Sequence, residues 1–100
     1  MPDLGMSATV RIYTTRYCGY CRAAENLLAR KQVRFENLDI TSDAETRRWL
    51  HQTTGRTSVP QVFINDRPVG GYTDIQALDD HGELDRLLAE APAKKAADGA

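Results

Sequence analysis

Short β-rich runs alternate with segments of helical periodicity along this chain of 100 residues, and that alternation limits the possible folds more than any other feature. The apolar pattern predicts a first strand in residues 9–14, a helix ending near Arg30 and a second strand in residues 33–40. Strands connected through a helix usually pair in parallel. This part of the chain therefore predicts a βαβ unit in a small sheet.

The middle of the chain predicts a second helix followed by a hairpin. Ser42 and Glu45 form a capping-box signature at the start of that helix, and Gly55 is placed to end it in a left-handed conformation. Residues 59–69 are rich in β-forming side chains and contain the turn signal Asn65-Asp66. That pattern is typical of two antiparallel strands joined by a tight turn.

The last helix is predicted to be divided. Thr73 and Gln76 form another capping-box signature, and Gly82 is expected to break the helix before Leu84. The complete order is βαβαββα. We therefore expect an α/β fold in which a mixed sheet of about four strands is flanked by helices.

Composition narrows the possible functions mainly by exclusion. A net charge of −1 and an isoelectric point near 6.1 give no reason to expect nucleic acid or an anionic membrane as a partner. The first residues carry no export signal and no run of about 18 apolar residues occurs, so we expect a cytoplasmic protein. We also expect a monomer. Small and polar residues predict flexible segments at 1–8 and 91–100, around a domain at 9–90.

Cys18-Gly19-Tyr20-Cys21 is the strongest functional signal, because it lies where the first strand gives way to the first helix. A cysteine at the N-terminal end of a helix meets unpaired backbone N–H groups and the positive end of the helix dipole, and both stabilise a thiolate. We therefore expect Cys18 to be the nucleophile. Cys21 follows one helical turn later, within reach of a disulfide, and is predicted to be the resolving thiol with a pKa near the ordinary thiol value.

Two alternatives for the cysteines stay open at this point. A C-x-x-C pair can form half of a zinc site, although the remaining candidate ligands, His51 and His81, fall in different predicted helices. Both thiols could instead be inert and buried, as free cysteines often are. Two cysteines cannot build a structural disulfide framework, and their close spacing favours transient redox chemistry.

Three segments together resemble the dithiol glutaredoxins of the thioredoxin fold. They are residues 12–21 with the cysteine pair, residues 57–64 around Val59-Pro60, and Gly70-Gly71-Tyr72-Thr73-Asp74. The resemblance extends over nearly all of residues 9–90, and the third segment separates glutaredoxins from thioredoxins of similar fold. It implies an oxidoreductase that uses glutathione as cosubstrate to reduce glutathionylated proteins and disulfides.

The resemblance also implies which residues bind glutathione. The Val59–Pro60 peptide bond is expected to be cis, with Val59 backbone groups that pair with the cysteinyl residue of glutathione. Gly70-Gly71 is expected to form a tight turn that leads into a helix N-terminus at Tyr72, which is a natural carboxylate site. There Thr73 suits the carboxylate of the γ-glutamyl end and Asp74 suits its ammonium group.

The basic residues expected to bind glutathione differ in part from the usual glutaredoxin pattern. By resemblance Arg47 is placed to bind the glycine carboxylate of glutathione, since arginine can do so with two hydrogen bonds. Many glutaredoxins have lysine three residues before the nucleophile, whereas this chain has Thr15, so Arg16 is expected to substitute. Tyr20 is expected to pack along the tripeptide, and Trp49 is expected to belong to the core.

Gly19 is a second departure, because many dithiol glutaredoxins have proline at this position. Relatives with glycine or serine there sometimes hold a [2Fe–2S] cluster between two subunits, using the nucleophilic cysteine and the glutathione sulfur as ligands. An iron–sulfur carrier or sensor, liganded by Cys18 and dimeric only when the cluster is bound, is therefore the alternative function.

Overall fold

The computed structural model describes residues 8–90, and the predicted order of strands and helices is confirmed within them. The elements are β1 (Val10–Thr14), α1 (Gly19–Arg30), β2 (Phe35–Asp39), α2 (Ala44–Thr54), β3 (Gln61–Ile64), β4 (Arg67–Gly70), α3 (Tyr72–Asp80) and α4 (Glu83–Ala89). The last helix is divided as predicted, because Gly82 between α3 and α4 adopts φ 74°. None of the helices in this range is long and apolar enough to cross a membrane.

Most of the predicted flexible ends falls outside residues 8–90. Ala8 is the exception, since it was expected to belong to the N-terminal segment. Its backbone N–H donates to the carbonyl of Leu88 at 3.0 Å, so Ala8 is attached to the end of α4.

The sheet is mixed, with strand order β2-β1-β3-β4. β1 pairs in parallel with β2 and antiparallel with β3, and β4 completes an antiparallel hairpin with β3. Asn65 and Asp66 form the predicted turn with φ values of 53° and 67°. Both residues have positive φ, as the tight turns favoured in hairpins require.

Two apolar clusters cover the two faces of the sheet. Ile12, Val62 and Ile64 pack under α1, α3 and α4, whereas Tyr13 and Phe63 pack with the α2 side chain Leu50. Alternate residues of β1 and β3 thus enter different clusters, as the two-residue repeat of a strand requires. All four residues of β3 are buried, so this inner strand is enclosed on both faces.

Two predicted helix caps are wrong. The N-cap of α2 is Asp43 instead of Ser42, because its carboxylate accepts hydrogen bonds from the backbone N–H and the hydroxyl of Thr46. Both residue types are good N-caps, and the carboxylate satisfies two donors at once. Gly55 ends α2 in the predicted left-handed conformation, with φ 75°.

The N-cap of α3 is Gly71 instead of Thr73. The Asp74 carboxylate turns back to accept the Gly71 N–H at 2.8 Å, which leaves Thr73 inside the first turn. Gln76, the predicted partner of Thr73, instead accepts a hydrogen bond from the Tyr72 hydroxyl at 3.0 Å.

Candidate functional site

Cys18 lies at the N-terminal end of α1, as the sequence predicts. It is the N-cap residue, in extended conformation at φ −137° and ψ 106°, and its Sγ accepts the backbone N–H of Cys21 at 3.1 Å. The Sγ also lies 3.8 Å from the carbonyl oxygen of Val59, to which the protonated thiol donates. A backbone N–H directed at sulfur stabilises a thiolate more than a thiol. The partly exposed side chain is thus placed for nucleophilic chemistry.

Cys21 has a different environment from the predicted one. Its side chain is completely buried, and burial, followed by its hydrogen bond with Cys18, raises its pKa to about 12. The predicted pKa, near the ordinary thiol value, is wrong because the side chain is completely buried. The direction of the difference is consistent with a thiol that reacts second.

A cavity of about 310 Å³ adjoins the cysteine end of α1. It lies between the start of α1, the segment before β3 and the start of α3. Its walls are formed by Tyr20, Arg56, Ser58, Val59, Pro60, Gly71, Tyr72, Thr73 and Asp74. Most of the residues predicted to contact glutathione thus come together around one cavity.

The segment before β3 connects the cavity to Cys18. The Val59–Pro60 peptide bond is cis, as the resemblance implied. The carbonyl of Val59 meets the Cys18 thiol, while its N–H donates to no group in the described part of the chain. A strand-like ligand could therefore pair with this N–H beside the sulfur of Cys18.

Gly71 allows two backbone segments to approach closely on the far side of the cavity. A Cβ placed on Gly71 would lie 3.2 Å from the carbonyl oxygen of Pro60. That distance is tighter than an ordinary contact, so a larger residue would push α3 away from the segment before β3. Glycine at this position keeps the two cavity walls together.

Asp74 is the anionic group of the cavity. Its Oδ2 accepts the Gly71 N–H at 2.8 Å and the Arg56 Nη1–H at 2.7 Å. The hydrogen bond from Arg56, and after it the one from Gly71, holds the pKa of Asp74 below its usual value. The carboxylate is therefore ionised at neutral pH, and its other oxygen, Oδ1, has no partner within residues 8–90.

Aromatic rings form the outer wall. Tyr20 and Tyr72 are stacked with ring centroids 6.2 Å apart, and 65% of Tyr20 is exposed. Trp49 lies on the other face of the sheet, where it contacts Tyr13 and Phe63 at 5.8 and 5.7 Å. It therefore packs on the core as predicted, although 41% of it remains exposed.

The two predicted cations lie outside the cavity wall. The Arg16 guanidinium is 3.7 Å from the Asp39 carboxylate, and the Arg47 guanidinium is 3.5 Å from the carbonyl of Thr41. Arg56 is the cation among the residues that line the cavity, and sequence reasoning missed it. The sequence signal that could have indicated Arg56 is its position directly after Gly55, which ends α2, and directly before the segment that leads into β3.

The zinc alternative finds no support in the donor arrangement. Within residues 8–90 no group of three or more His, Cys, Asp or Glu side chains could hold a metal ion. His51 is exposed, and the His81 Nδ1 lies 2.8 Å from the carbonyl of Ala77 in its own helix.

This fold and site define a class: a small α/β protein with a partly exposed thiol at a helix N-terminus and a second thiol one turn behind it. The glutaredoxin family model matches residues 10–69. Glutaredoxin 3 of Escherichia coli (strain K12) is 46% identical over 81 residues, which are 81% of this chain and 98% of that protein. The chain belongs to the glutaredoxin family, and a thiol–disulfide oxidoreductase role follows from that membership.

Solved structures agree with this assignment. The solution structure of glutaredoxin from Brucella melitensis is 42% identical with a TM-score of 0.76, covering 84% of this chain and 91% of that one. The crystal structure of a buckwheat glutaredoxin–glutathione complex is 26% identical with a TM-score of 0.77, covering 90% of this chain and 86% of that one.

Proposed function

We propose that this protein is a glutathione-dependent thiol–disulfide oxidoreductase that reduces glutathionylated proteins and disulfides. One observation carries the proposal: the Cys18 thiol lies 3.8 Å from the Val59 carbonyl, next to a cavity with an ionised Asp74 at its other side. A ligand with an extended cysteinyl residue and a cationic end would fit between them. Glutathione has both features, and the similar buckwheat protein was crystallised with it.

Each part of glutathione has a matching group in this site. The free N–H of Val59 and its carbonyl suit the cysteinyl backbone, which would bring the glutathione sulfur to Cys18. The Asp74 carboxylate suits the ammonium of the γ-glutamyl end. The Thr73 side chain is exposed at the same helix N-terminus, and it suits the γ-glutamyl carboxylate.

The reaction with a glutathionylated protein proceeds by two thiol–disulfide exchanges. The Cys18 thiolate attacks the glutathione sulfur, the substrate S–S bond breaks, and the protein thiolate leaves and takes a proton from solvent. A second glutathione thiolate then attacks the glutathione sulfur held on Cys18. Oxidised glutathione leaves, and the Cys18 thiolate is restored.

A protein disulfide requires the second thiol. Cys18 forms a mixed disulfide with the substrate, and Cys21 loses its proton as it attacks the Cys18 sulfur. The substrate leaves with both its sulfurs reduced, and a Cys18–Cys21 disulfide remains. Two molecules of glutathione reduce that disulfide and are themselves oxidised to one glutathione disulfide.

A coupled assay tests this proposal directly. Purified protein, glutathione, glutathione reductase and NADPH are mixed with a glutathionylated peptide, and NADPH oxidation is followed. We expect turnover that saturates with the glutathionylated peptide. A matched mixed disulfide of the same peptide with 2-mercaptoethanol should react much more slowly. Equal rates with the two substrates would overturn glutathione dependence.

The alternative function, a glutathione-ligated [2Fe–2S] cluster shared by two subunits, is favoured by one feature. A Cβ placed on Gly19 meets no atom within 4 Å, so the surface beside Cys18 is open. Residues 8–90 contain no set of three metal-ligating side chains, so ligands other than Cys18 would come from glutathione and a second subunit. Anaerobic reconstitution with iron, sulfide and glutathione, followed by visible absorption and gel filtration, distinguishes the two functions.

A further inference from the structure

Arg56 and Asp74 form a pair of opposite charges inside the cavity. The Arg56 Nη1 lies 2.7 Å from the Asp74 Oδ2, and both side chains line the cavity wall. About half of the Arg56 side chain and 38% of that of Asp74 remain exposed. Because neither group is enclosed, both remain accessible to a ligand.

The pair uses only part of its hydrogen-bonding capacity. A guanidinium has five N–H donors, and within residues 8–90 this one donates only from Nη1 to Asp74. The Asp74 Oδ1 accepts no hydrogen bond from residues 8–90. A ligand could thus bind a free donor of Arg56 and a free acceptor of Asp74 without breaking the ion pair.

The backbone fixes Arg56 beside Asp74. Gly55 ends α2 with φ 75°, and the hydroxyl of Thr54 then accepts the N–H of Arg56 at 3.1 Å. On the other side, the Gly71 N–H fixes the Asp74 carboxylate at 2.8 Å. The positions of the two charges are therefore set by separate structural elements before any ligand arrives.

An α-amino acid end carries the complementary pair of charges. Its ammonium and carboxylate groups are attached to one carbon, so they are adjacent as the two protein charges are. Arginine binds a carboxylate with a planar pair of donors, and a carboxylate accepts strongly from an ammonium group. Glutathione has one such end, the γ-glutamyl residue.

Resting on the proposed function, we propose that Arg56 binds the α-carboxylate of the γ-glutamyl residue together with Thr73, while the adjacent Asp74 binds its ammonium group. Arg56 is then a specificity residue that rejects thiols lacking a free α-amino acid end. Arg47 stays the candidate for the glycine carboxylate of glutathione, so the two cations serve different ends of the tripeptide.

Chemically modified substrates test this assignment. Three mixed disulfides of glutathione with a chromogenic thiol are prepared: unmodified, with the γ-glutamyl α-carboxylate converted to a carboxamide, and with the glycine carboxylate converted to a carboxamide. No free glutathione is added, so the chromophore released up to one equivalent of protein reports the first exchange. Glutathione that Cys21 displaces from Cys18 contributes only after that. The variants are Arg56→Gln, Arg56→Lys and the matched control Arg86→Gln, which removes a similar exposed ion pair on α4.

On the unmodified substrate we expect Arg56→Gln to lower the second-order rate constant by about tenfold to a hundredfold. The α-carboxamide should lower the wild-type rate constant by a similar factor, and Arg56→Gln should lose nothing further on that substrate. Arg56→Lys should recover part of the rate, because a cation is present but the planar pair of donors is not. Arg86→Gln should behave as wild type.

Two results would overturn the assignment while leaving the proposed function intact. In the first result, Arg56→Gln lowers the rate constant by the same factor on the α-carboxamide as on the unmodified substrate. Arg56 would then not bind the α-carboxylate. In the second result, Arg56→Gln lowers the rate constant on every substrate except the glycine carboxamide. Arg56 would then bind the glycine carboxylate. A wild type that reacts no faster with the glutathione disulfide than with the 2-mercaptoethanol disulfide of the same chromophore would overturn both proposals together.

Discussion

Two helices begin beside one cavity, and their first turns meet the same requirement with different side chains. In α1 the N-cap residue Cys18 itself accepts the N–H of Cys21 at 3.1 Å. In α3 the N-cap residue Gly71 has no side chain, and Asp74 in the first turn accepts the Gly71 N–H at 2.8 Å. Both solutions place a hydrogen-bond acceptor at the positive end of a helix.

The difference lies in what that atom can do. The sulfur of Cys18, the nucleophile in the proposed function, is partly exposed and paired with no cation in residues 8–90. The carboxylate of Asp74 is chemically inert in disulfide exchange and already bound to Arg56. In the proposed function, the same helix-end electrostatics therefore serves reaction at α1 and recognition at α3.

Removing the sulfur at α1 should have the largest effect. We expect Cys18→Ser to lower glutathione-coupled turnover by at least about a thousandfold, because an alkoxide does not form at neutral pH and cannot replace the thiolate. Thermal unfolding should stay close to wild type, since the serine hydroxyl can still cap α1. Substantial residual turnover in a folded Cys18→Ser protein would contradict the assignment of the nucleophile.

Cys21→Ser should separate the two reactions. Deglutathionylation needs only Cys18 and a second glutathione, so we expect its rate to stay near wild type. Reduction of a protein disulfide should be lost, because the protein no longer has a thiol beside Cys18 that attacks the mixed disulfide and releases the substrate. Rates on a glutathionylated peptide and on a disulfide-bonded protein are compared for the same preparation, and equal losses on both would contradict the division of roles.

Gly70→Ala should disturb the part of the cavity that contains Asp74. Gly70 has φ 116°, and a Cβ there would lie 2.7 Å from the Cβ of Asp74, so the carboxylate must move. We expect a rise of about tenfold in KM for the glutathionylated substrate and a loss of about 1–3 kcal/mol in the free energy of unfolding. The reaction of Cys18 with a small alkylating reagent should not change.

Gly82→Ala is the matched control for that variant. Gly82 also has positive φ, 74°, but a Cβ there meets nothing within 4 Å. It should lose stability by about 1–2 kcal/mol from backbone strain alone. An equal rise in KM in both variants would show that lost stability, and not the displacement of Asp74, is responsible.

Sequence patterns predicted the elements well because each carries its own local signal. The turn Asn65-Asp66 and the helix break at Gly82 both require positive φ, and both were found. The cap of α2 was misplaced by one residue because Ser42 and Asp43 have nearly equal preference for that position. Only the geometry, in which Asp43 satisfies two donors of Thr46, decides between them.

The site was harder to predict where it depends on tertiary packing. The raised pKa of Cys21 follows from its complete burial, which a single helical pattern does not determine. The sequence places Arg47 on one face of its helix but does not determine how far its guanidinium lies from the cavity. In the structure the guanidinium lies near Thr41. Arg56 reaches the cavity only because the chain reverses at Gly55, so its role became visible with the fold.

Gly19→Pro should have the smallest effect, and it tests how much freedom the start of α1 needs. Gly19 is the first residue of α1, the position where proline is best accepted in a helix. The preceding residue, Cys18, has φ −137° and ψ 106°, an extended conformation that is compatible with a following proline. A Cβ at Gly19 meets no neighbouring atom within 4 Å.

We therefore expect Gly19→Pro to keep the reductase rate constants of the wild type and to raise the free energy of unfolding by about 0.4–1 kcal/mol, because proline restricts the unfolded chain. Chemical denaturation measures the second quantity. The same variant should fail to assemble a cluster that the wild type assembles under anaerobic reconstitution, since the stiffer turn cannot open around it. A wild type that stays a colourless monomer would remove the cluster function. Loss of reductase activity in Gly19→Pro would instead show that catalysis at Cys18 depends on the flexibility of this turn.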